Sequence, residues 1–368
     1  MNNVMDIDTP ALLVDSEILQ NNIKNMQEKA EKAGVNLRPH TKTHRTPALA
    51  LKQIRAGATG ITVAKIGEAE VMAENGIDDI FIANELYGRQ KMERLKELAK
   101  RANISVGVDN KEQVMALSQA FKGEKEPAQV LIEIETGEER SGMIPGKELV
   151  QLAMFINSVP DVKLKGVFSH EGHAYGAATK EECAELFRKS QQDTLYAAKL
   201  IRDCGIDVEI VSIGATPSIM LGEILPGITE IRPGTYILMD AAQGHAIGSY
   251  ERCAATILAT VVSKPTPERI VLDAGVKALT AFTRGKGICH TPGHGMIKGF
   301  DGLRVSKLYD EHGLINDREA NKKLSIGDKV EIIPNHICPT CNLYNKMYLI
   351  RDRKIMKELP ILCRGKSQ

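Results

Sequence analysis

Lys42 stands in the run Arg38-Pro39-His40-Thr41-Lys42-Thr43-His44. Most lysines are solvated surface groups, but this one has two histidines and an arginine as close neighbours. Nearby cations lower a lysine pKa, and an amine that forms a Schiff base needs that shift. Further along, Gly137-Glu138-Glu139-Arg140-Ser141-Gly142 follows an apolar run, so Arg140 stands on a turn. Ser169-His170-Glu171-Gly172-His173-Ala174-Tyr175 ends another apolar run and puts two histidines and a tyrosine on one loop, a grouping suited to proton transfer. Gly214-Ala215-Thr216 offers backbone N–H groups and a hydroxyl of the kind that hold a phosphate.

Near the C-terminus, Asn335-His336-Ile337-Cys338-Pro339-Thr340-Cys341 can be read in more than one way. Cys338-x-x-Cys341 is compatible with a redox pair or with half of a four-cysteine zinc site. A redox pair is expected at a helix start in a βαβ setting, and no second CxxC completes a zinc knuckle. If the segment is a strand, His336 and Cys338 point to the same side, which suits two metal ligands. Cys341 is then a packed thiol. The cluster Cys289-His290-Thr291-Pro292-Gly293-His294 reads better as a Gly-rich loop than as a second metal site.

Short β-rich runs alternate with helical patterns from about residue 9 to 235. The expected strands are 10–14, 36–42, 60–64, 79–83, 104–108, 130–135, 164–169 and 208–213, and the helices between them include 16–32, 65–75 and 91–100. Ser16 is the expected N-cap of the first helix and Gly34 its C-cap. Strand and helix alternating about eight times predict parallel βαβ units closing into a (β/α)8 barrel. Lys42, Asn84, Asp109, Glu135, His170 and Gly214 fall at the C-terminal ends of these strands, where barrels of this kind carry active sites. After about residue 240, short strands separated by Gly, Pro and Asp turns predict a mainly β domain. The expected division is 9–240 for the barrel, with 1–8 and 241–368 forming the β domain.

The chain has 368 residues, 48 basic and 47 acidic, for a net charge of +1, which argues against non-specific binding to nucleic acid or acidic membranes. Trp is absent and aromatics are only 4%, so no stacking platform for single strands is expected. No apolar run approaches a membrane span, and Met1–Asp6 lacks a basic segment followed by an apolar one. The seven scattered cysteines read as reduced thiols. Together these predict a soluble cytoplasmic protein.

The run Val35-Asn36-Leu37-Arg38-Pro39-His40-Thr41-Lys42-Thr43-His44, after the opening Asp8-Thr9-Pro10-Ala11-Leu12, resembles the fold-type-III (alanine-racemase-like) pyridoxal-phosphate enzymes. Within them it is similar to the D-threonine aldolase and D-serine dehydratase family over essentially the whole chain. The resemblance implies an alanine-racemase-type barrel followed by a β domain, with Lys42 holding pyridoxal 5'-phosphate. It implies that Arg140 contacts the phenolic oxygen and that Gly214, Ala215 and Thr216 hold the phosphate. Tyr175 and Tyr236 are implied near the cofactor, and His173 facing the substrate. It also implies a divalent metal on His336 and Cys338, with Zn²⁺ favoured by the thiolate and Mn²⁺ the alternative. Asp273-Ala274-Gly275 and Glu311-His312-Gly313 resemble further family elements without an assigned role.

The implied activity is that of a metal-dependent lyase on a D-3-hydroxy amino acid, in a homodimer. His-x-Cys and Gly-His-x-Tyr favour dehydration of the D-serine type over aldol cleavage of the D-threonine type. A racemase and a non-catalytic pyridoxal-phosphate carrier are the remaining alternatives, and the His336/Cys338 pair counts against both.

Overall fold

The structure, a computed structural model, describes residues 3–368; Met1 and Asn2, expected with the C-terminal sheet, lie outside the described residues. Among the described residues seventeen strands run in chain order. They are β1 (Ala11–Asp15), β2 (Asn36–Leu37), β3 (Ile61–Val63), β4 (Asp79–Glu85), β5 (Asn103–Val108), β6 (Ala128–Ile134), β7 (Val162–Ser169), β8 (Ile210–Ile213) and β9 (Glu230–Ile231). There follow β10 (Ala255–Ser263), β11 (Arg269–Leu272), β12 (Met296–Ile297), β13 (Lys307–Leu308), β14 (Gly313–Asn316), β15 (Lys329–Ile333), β16 (Lys346–Arg351) and β17 (Lys354–Pro360). The chain divides into two compact units: residues up to Asn25, Thr43–Thr46 and Thr235–Arg364 in one, and Met26–Lys42, Pro47–Gly234 and Gly365–Gln368 in the other.

The second unit is the α/β barrel. Its eight parallel strands lie in the order β2-β9-β8-β7-β6-β5-β4-β3. A parallel bridge between His40 and Thr62, with the Thr62 N–H donating to the Pro39 carbonyl at 2.8 Å, joins the two ends. The crossovers are helical: α2 (Pro47–Arg55), α3 (Ile66–Glu74), α4 (Arg89–Ala99), α5 (Lys111–Phe121), α6 (Lys147–Ser158), α7 (Lys180–Arg202) and α8 (Thr216–Leu221). The strands are apolar runs because both of their faces are covered. Phe81, Leu131 and Phe168 form part of the interior, with the two phenyl rings edge to face at 4.9 Å. Such a pair adds roughly 0.5–1.5 kcal/mol to the area buried.

Three strand assignments made from the sequence need correction. The run 10–14 is not a barrel strand: β1 pairs antiparallel with β10 and parallel with β16 in the other unit. It is buried almost throughout, so its apolar pattern is that of any central strand. The eighth barrel strand is β9, whose two residues are too short to leave a periodic signal. The run 36–42 stays in register only to Leu37. Pro39 has no N–H for a ladder, and Thr41–Thr43 turns into a 3-10 helix carrying Lys42.

The first unit is built on a nine-stranded sheet in the order β13-β14-β11-β10-β1-β16-β17, with β15 pairing β10 and β12. Short helices α9 (Ala241–Ile247), α10 (Val276–Leu279), α11 (Arg318–Lys323) and α12 (Ile337–Cys341) fill the connections. The first helix of the chain, α1 (Ser16–Ala33), starts one residue earlier than expected: the Asp15 carboxylate caps it, accepting the N–H groups of Glu17 at 2.9 Å and Ile18 at 3.0 Å. Gly34 ends it at φ +67°, a conformation that favours glycine, while the Val35 N–H returns to the Ala30 carbonyl. Among the described residues no helix is long and apolar enough to cross a membrane.

Candidate active site

A cavity of about 330 Å³ opens at the C-terminal ends of the barrel strands. Its lining includes Lys42 and His40 after β2, Asn84 and Glu85 at the end of β4, and Glu133 on β6 with Arg140 and Ser141 from the following turn. Phe168 and His170 at the end of β7, Gly214 after β8 and Arg232 after β9 complete the wall. Lys42, Arg140 and Gly214 were expected there, and the topology brings them together from strands far apart in sequence. The volume lies near the lower end of the range of ligand pockets, roughly 300–1,000 Å³.

The imidazoles beside Lys42 are kept neutral. Burial and the Lys42 ammonium push His40 well below the usual imidazole range. The same two causes lower His170 to about 3. His170 donates from Nδ1 to the Gly214 carbonyl at 2.8 Å, which fixes the tautomer and leaves Nε2 without a proton. Tyr175 meets the His170 ring edge to face at 6.2 Å, and His173 lies under Gly137, where a Cβ would come within 3.1 Å of Nε2. His173 and Tyr175 share one 3-10 turn, Gly172–Gly176.

Arg232 is a cation that the sequence reading left without a role. It donates to the Ser212 hydroxyl at 2.5 Å and to the Ser169 carbonyl at 2.6 Å, and lies over the rings of Phe81 and Phe168. Ser212 in turn donates to Glu230, which also accepts from Arg38 at 2.6 Å; Arg38 is further paired with Asp79. Burial lowers Arg232 to about 10, yet it remains charged at neutral pH. Its position at the end of a two-residue strand explains why no pattern flagged it. Glu85 and Glu133 were missed for a related reason, since each closes or interrupts an otherwise apolar strand.

Gly214 adopts φ +157°, close to extended backbone, and its Cα faces the chain after β9 so closely that a Cβ would lie 2.7 Å from the Arg232 nitrogen. Only glycine fits. Ala215 and Thr216 follow at the head of α8, both buried.

Tyr236, His336 and Cys338 belong to the other unit. Tyr236 is buried in the 3-10 turn Thr235–Ile237. The expectation that His336 and Cys338 alternate on a strand is not met: β15 ends at Ile333, His336 is the extended N-cap of α12, and Cys338 lies in its first turn. Pro334 and Pro339 flank the segment and cannot extend a ladder. The Cys338 thiol is partly exposed, lying 3.4 Å from the hydroxyl of Thr43 and 3.8 Å from that of Thr235, whereas Cys341 is fully buried and its thiol is pushed well up by burial. The His336 imidazole packs against the Phe282 ring at 4.5 Å. Among the described residues no three His, Cys, Asp or Glu side chains gather into a closed metal site.

Two family models match in succession: alanine racemase, N-terminal domain, over residues 14–242, and putative serine dehydratase domain over residues 254–350. The chain is 33% identical to a D-threonine aldolase of an Arthrobacter species, over 98% of this chain and 94% of the relative. The chain belongs to the D-threonine aldolase and D-serine dehydratase family of alanine-racemase-fold lyases. It is 27% identical to a D-serine dehydratase of Dictyostelium discoideum over 95% of each chain. The D-threo-3-hydroxyaspartate dehydratase of Delftia sp. HT23 superposes with a TM-score of 0.91 at 26% identity, over 98% of this chain and 99% of the other. That enzyme has also been solved with a histidine replaced by alanine, and, in a metal-free form, with alanine replacing a cysteine two positions further along.

Proposed function

We propose that the chain is a pyridoxal-phosphate- and metal-dependent lyase that removes water from a D-3-hydroxy amino acid of the D-serine type, giving a keto acid and ammonia. The observation that carries it is the placement of Lys42, Arg140 and Gly214 around one cavity at the C-terminal ends of the barrel strands. The residues present fit the cofactor. A primary amine, two guanidinium groups and a glycine with no room for a Cβ suit a phosphorylated aromatic aldehyde. Lys42 would hold it, Arg140 its phenolic oxygen, and Gly214 with Ala215 and Thr216 its phosphate. Tyr175, against His170, and Tyr236 would complete its surroundings.

When bound, the cofactor supplies an electron sink for a carbanion at the substrate Cα. The amine of Lys42 takes the Cα proton. His40 and His170, held neutral, add no charge to compete for the substrate carboxylate.

A divalent metal would be held by His336 and Cys338, where an imidazole and a partly exposed thiol favour Zn²⁺ over Mn²⁺. It would supply Lewis acidity to the departing β-hydroxyl. The His-x-Cys spacing shared with the Delftia variants supports this reading. A second reading, aldol cleavage of a D-threonine-type substrate, is favoured by the 33% identity to the Arthrobacter aldolase, and there His173 would take the hydroxyl proton. The protein is further proposed to be a cytoplasmic homodimer, checked by light scattering at assay concentration.

Product identification separates the two reactions. Pyruvate and ammonia from D-serine support dehydration; glycine and acetaldehyde from D-threonine, with no pyruvate from D-serine, establish the aldolase instead. Racemisation of D-serine without either product overturns both.

A further inference from the structure

The turn that presents Arg140 is held by carboxylates and by two backbone hydrogen bonds. The Glu135 carboxylate accepts the N–H groups of Gly137 and, at 3.3 Å, of Arg140. Asp109 accepts the Gly142 N–H at 3.2 Å, and a Cβ on Gly142 would lie 2.9 Å from the Glu135 nitrogen. The Met143 N–H donates to the Glu133 carbonyl at 2.8 Å, and the Glu135 N–H returns to the Met143 carbonyl at 3.0 Å. These contacts fix the backbone of the turn.

Glu133 does something different, because its carboxylate addresses side chains. It is 4% exposed on β6, with Oε1 accepting from Arg140 Nη2 at 3.1 Å and Oε2 from the Ser141 hydroxyl at 2.8 Å. Arg140 itself is half exposed, and without such an anchor its long side chain would sample many rotamers. Glu133 engages one nitrogen of the fork, leaving other N–H donors for a ligand oxygen.

Glu85 lies beside Glu133 in the same wall. Burial and the neighbouring Glu133 carboxyl push it up to about 8, so Glu85 keeps its proton at neutral pH. Glu85 therefore adds no second negative charge to this part of the wall.

We propose that Glu133, backed by Glu85, is the positioning residue for Arg140, orienting the guanidinium into the cavity toward the anionic oxygen of a bound cofactor. The proposal rests on the reading of Arg140 as a cofactor contact given above. Its consequence is that Glu133 strengthens cofactor binding only through Arg140.

The test is titration of pyridoxal 5'-phosphate into the cofactor-free full-length protein, followed by absorbance, for wild type, Glu133→Gln, Arg140→Ala and the double variant. Glu133→Gln is expected to raise the cofactor Kd roughly tenfold, the scale of a hydrogen bond to a charged group. In the Arg140→Ala background the same change should alter Kd by less than about twofold, since coupled residues are non-additive. An equal loss in both backgrounds assigns Glu133 to the fold alone and overturns the proposal, as does no loss in either. If Glu133→Gln does not accumulate as folded protein, Glu133→Asp, which keeps the charge but withdraws it from Arg140, should give a smaller loss with the same dependence on Arg140. An Arg140→Ala protein that binds as tightly as wild type overturns the proposal at its other end and leaves the Lys42 assignment standing. A wild type that takes up no cofactor removes the functional reading itself, and that result is visible before any variant is compared.

Discussion

The Asp240 carboxylate accepts the N–H of Ile337, the residue between His336 and Cys338, at 3.0 Å through Oδ2, while Oδ1 caps α9 by accepting the Gln243 N–H at 2.9 Å. One buried side chain thus ties the head of α9 to the segment carrying the proposed metal ligands. Asp240→Ala removes a helix cap and leaves the Ile337 N–H buried and unpaired, a combined loss of roughly 2–4 kcal/mol in thermal or urea denaturation. Asp240→Asn keeps the size and one acceptor, so it should lose less stability. Its metal affinity, measured by competition with a chromogenic chelator, should still fall about tenfold or more, the scale of outer-shell changes around metal ligands. Unchanged affinity would show that the clamp is structural only.

Lys42→Ala should abolish covalent attachment of the cofactor. Borohydride reduction followed by peptide mass spectrometry should find the adduct on Lys42 in the wild type and none in the variant. An adduct surviving on another lysine would move the catalytic amine elsewhere.

The two thiols of the 338–341 segment should behave oppositely. A strong chelator, or Cys338→Ala, is expected to stop turnover while leaving the cofactor absorbance in place, because the metal is assigned to the substrate hydroxyl. Cys341→Ala should keep activity near that of the wild type and lose about 1–2 kcal/mol of stability, as small buried truncations do. Full activity after metal removal would eliminate the Lewis-acid role.

Glu85 sets the sign of a pH effect. Its carboxyl is raised from 4.5 to about 8 in the folded protein, so between these values the unfolded chain has released a proton that the folded chain retains. The stability this group contributes is therefore present below its unfolded pKa and is lost as pH rises through the folded one. In Glu85→Gln the cofactor-free protein should lose less melting temperature than wild type between pH 5 and pH 8. Parallel melting curves for the two proteins across that window would show that Glu85 titrates normally.

Much of the barrel was legible because both-face burial writes apolar runs and the crossover helices write their own period. The cavity was legible where chemistry falls at strand ends: Lys42, Asn84, His170 and Gly214 were flagged by position and all line it. Asp109 and Glu135, flagged by the same rule, hold the Arg140 turn instead. Glu133 was hidden because β6 reads as an unbroken buried strand, and a single acid within it is indistinguishable by pattern from one facing solvent. The 335–341 segment was misread because proline at 334 and 339 says only that a ladder ends, not that a helical turn begins. The pairing of β1 depends on contacts almost a whole chain length away, which no local window contains.

That pairing has a consequence for how the molecule is made. Because β1 lies between β10 and β16, an interior strand of the C-terminal sheet is made before every barrel strand among the described residues, and its last partner is made after all of them. The sheet cannot close during synthesis, and the early strand must wait in an unpaired state while the barrel strands are translated. A fragment starting after the barrel would expose the facing edges of β10 and β16 with nothing between them, an invitation to aggregate. The C-terminal half is therefore not a portable module: a cut between the two family-matched segments would leave the barrel piece holding the β1 strand that the C-terminal sheet needs.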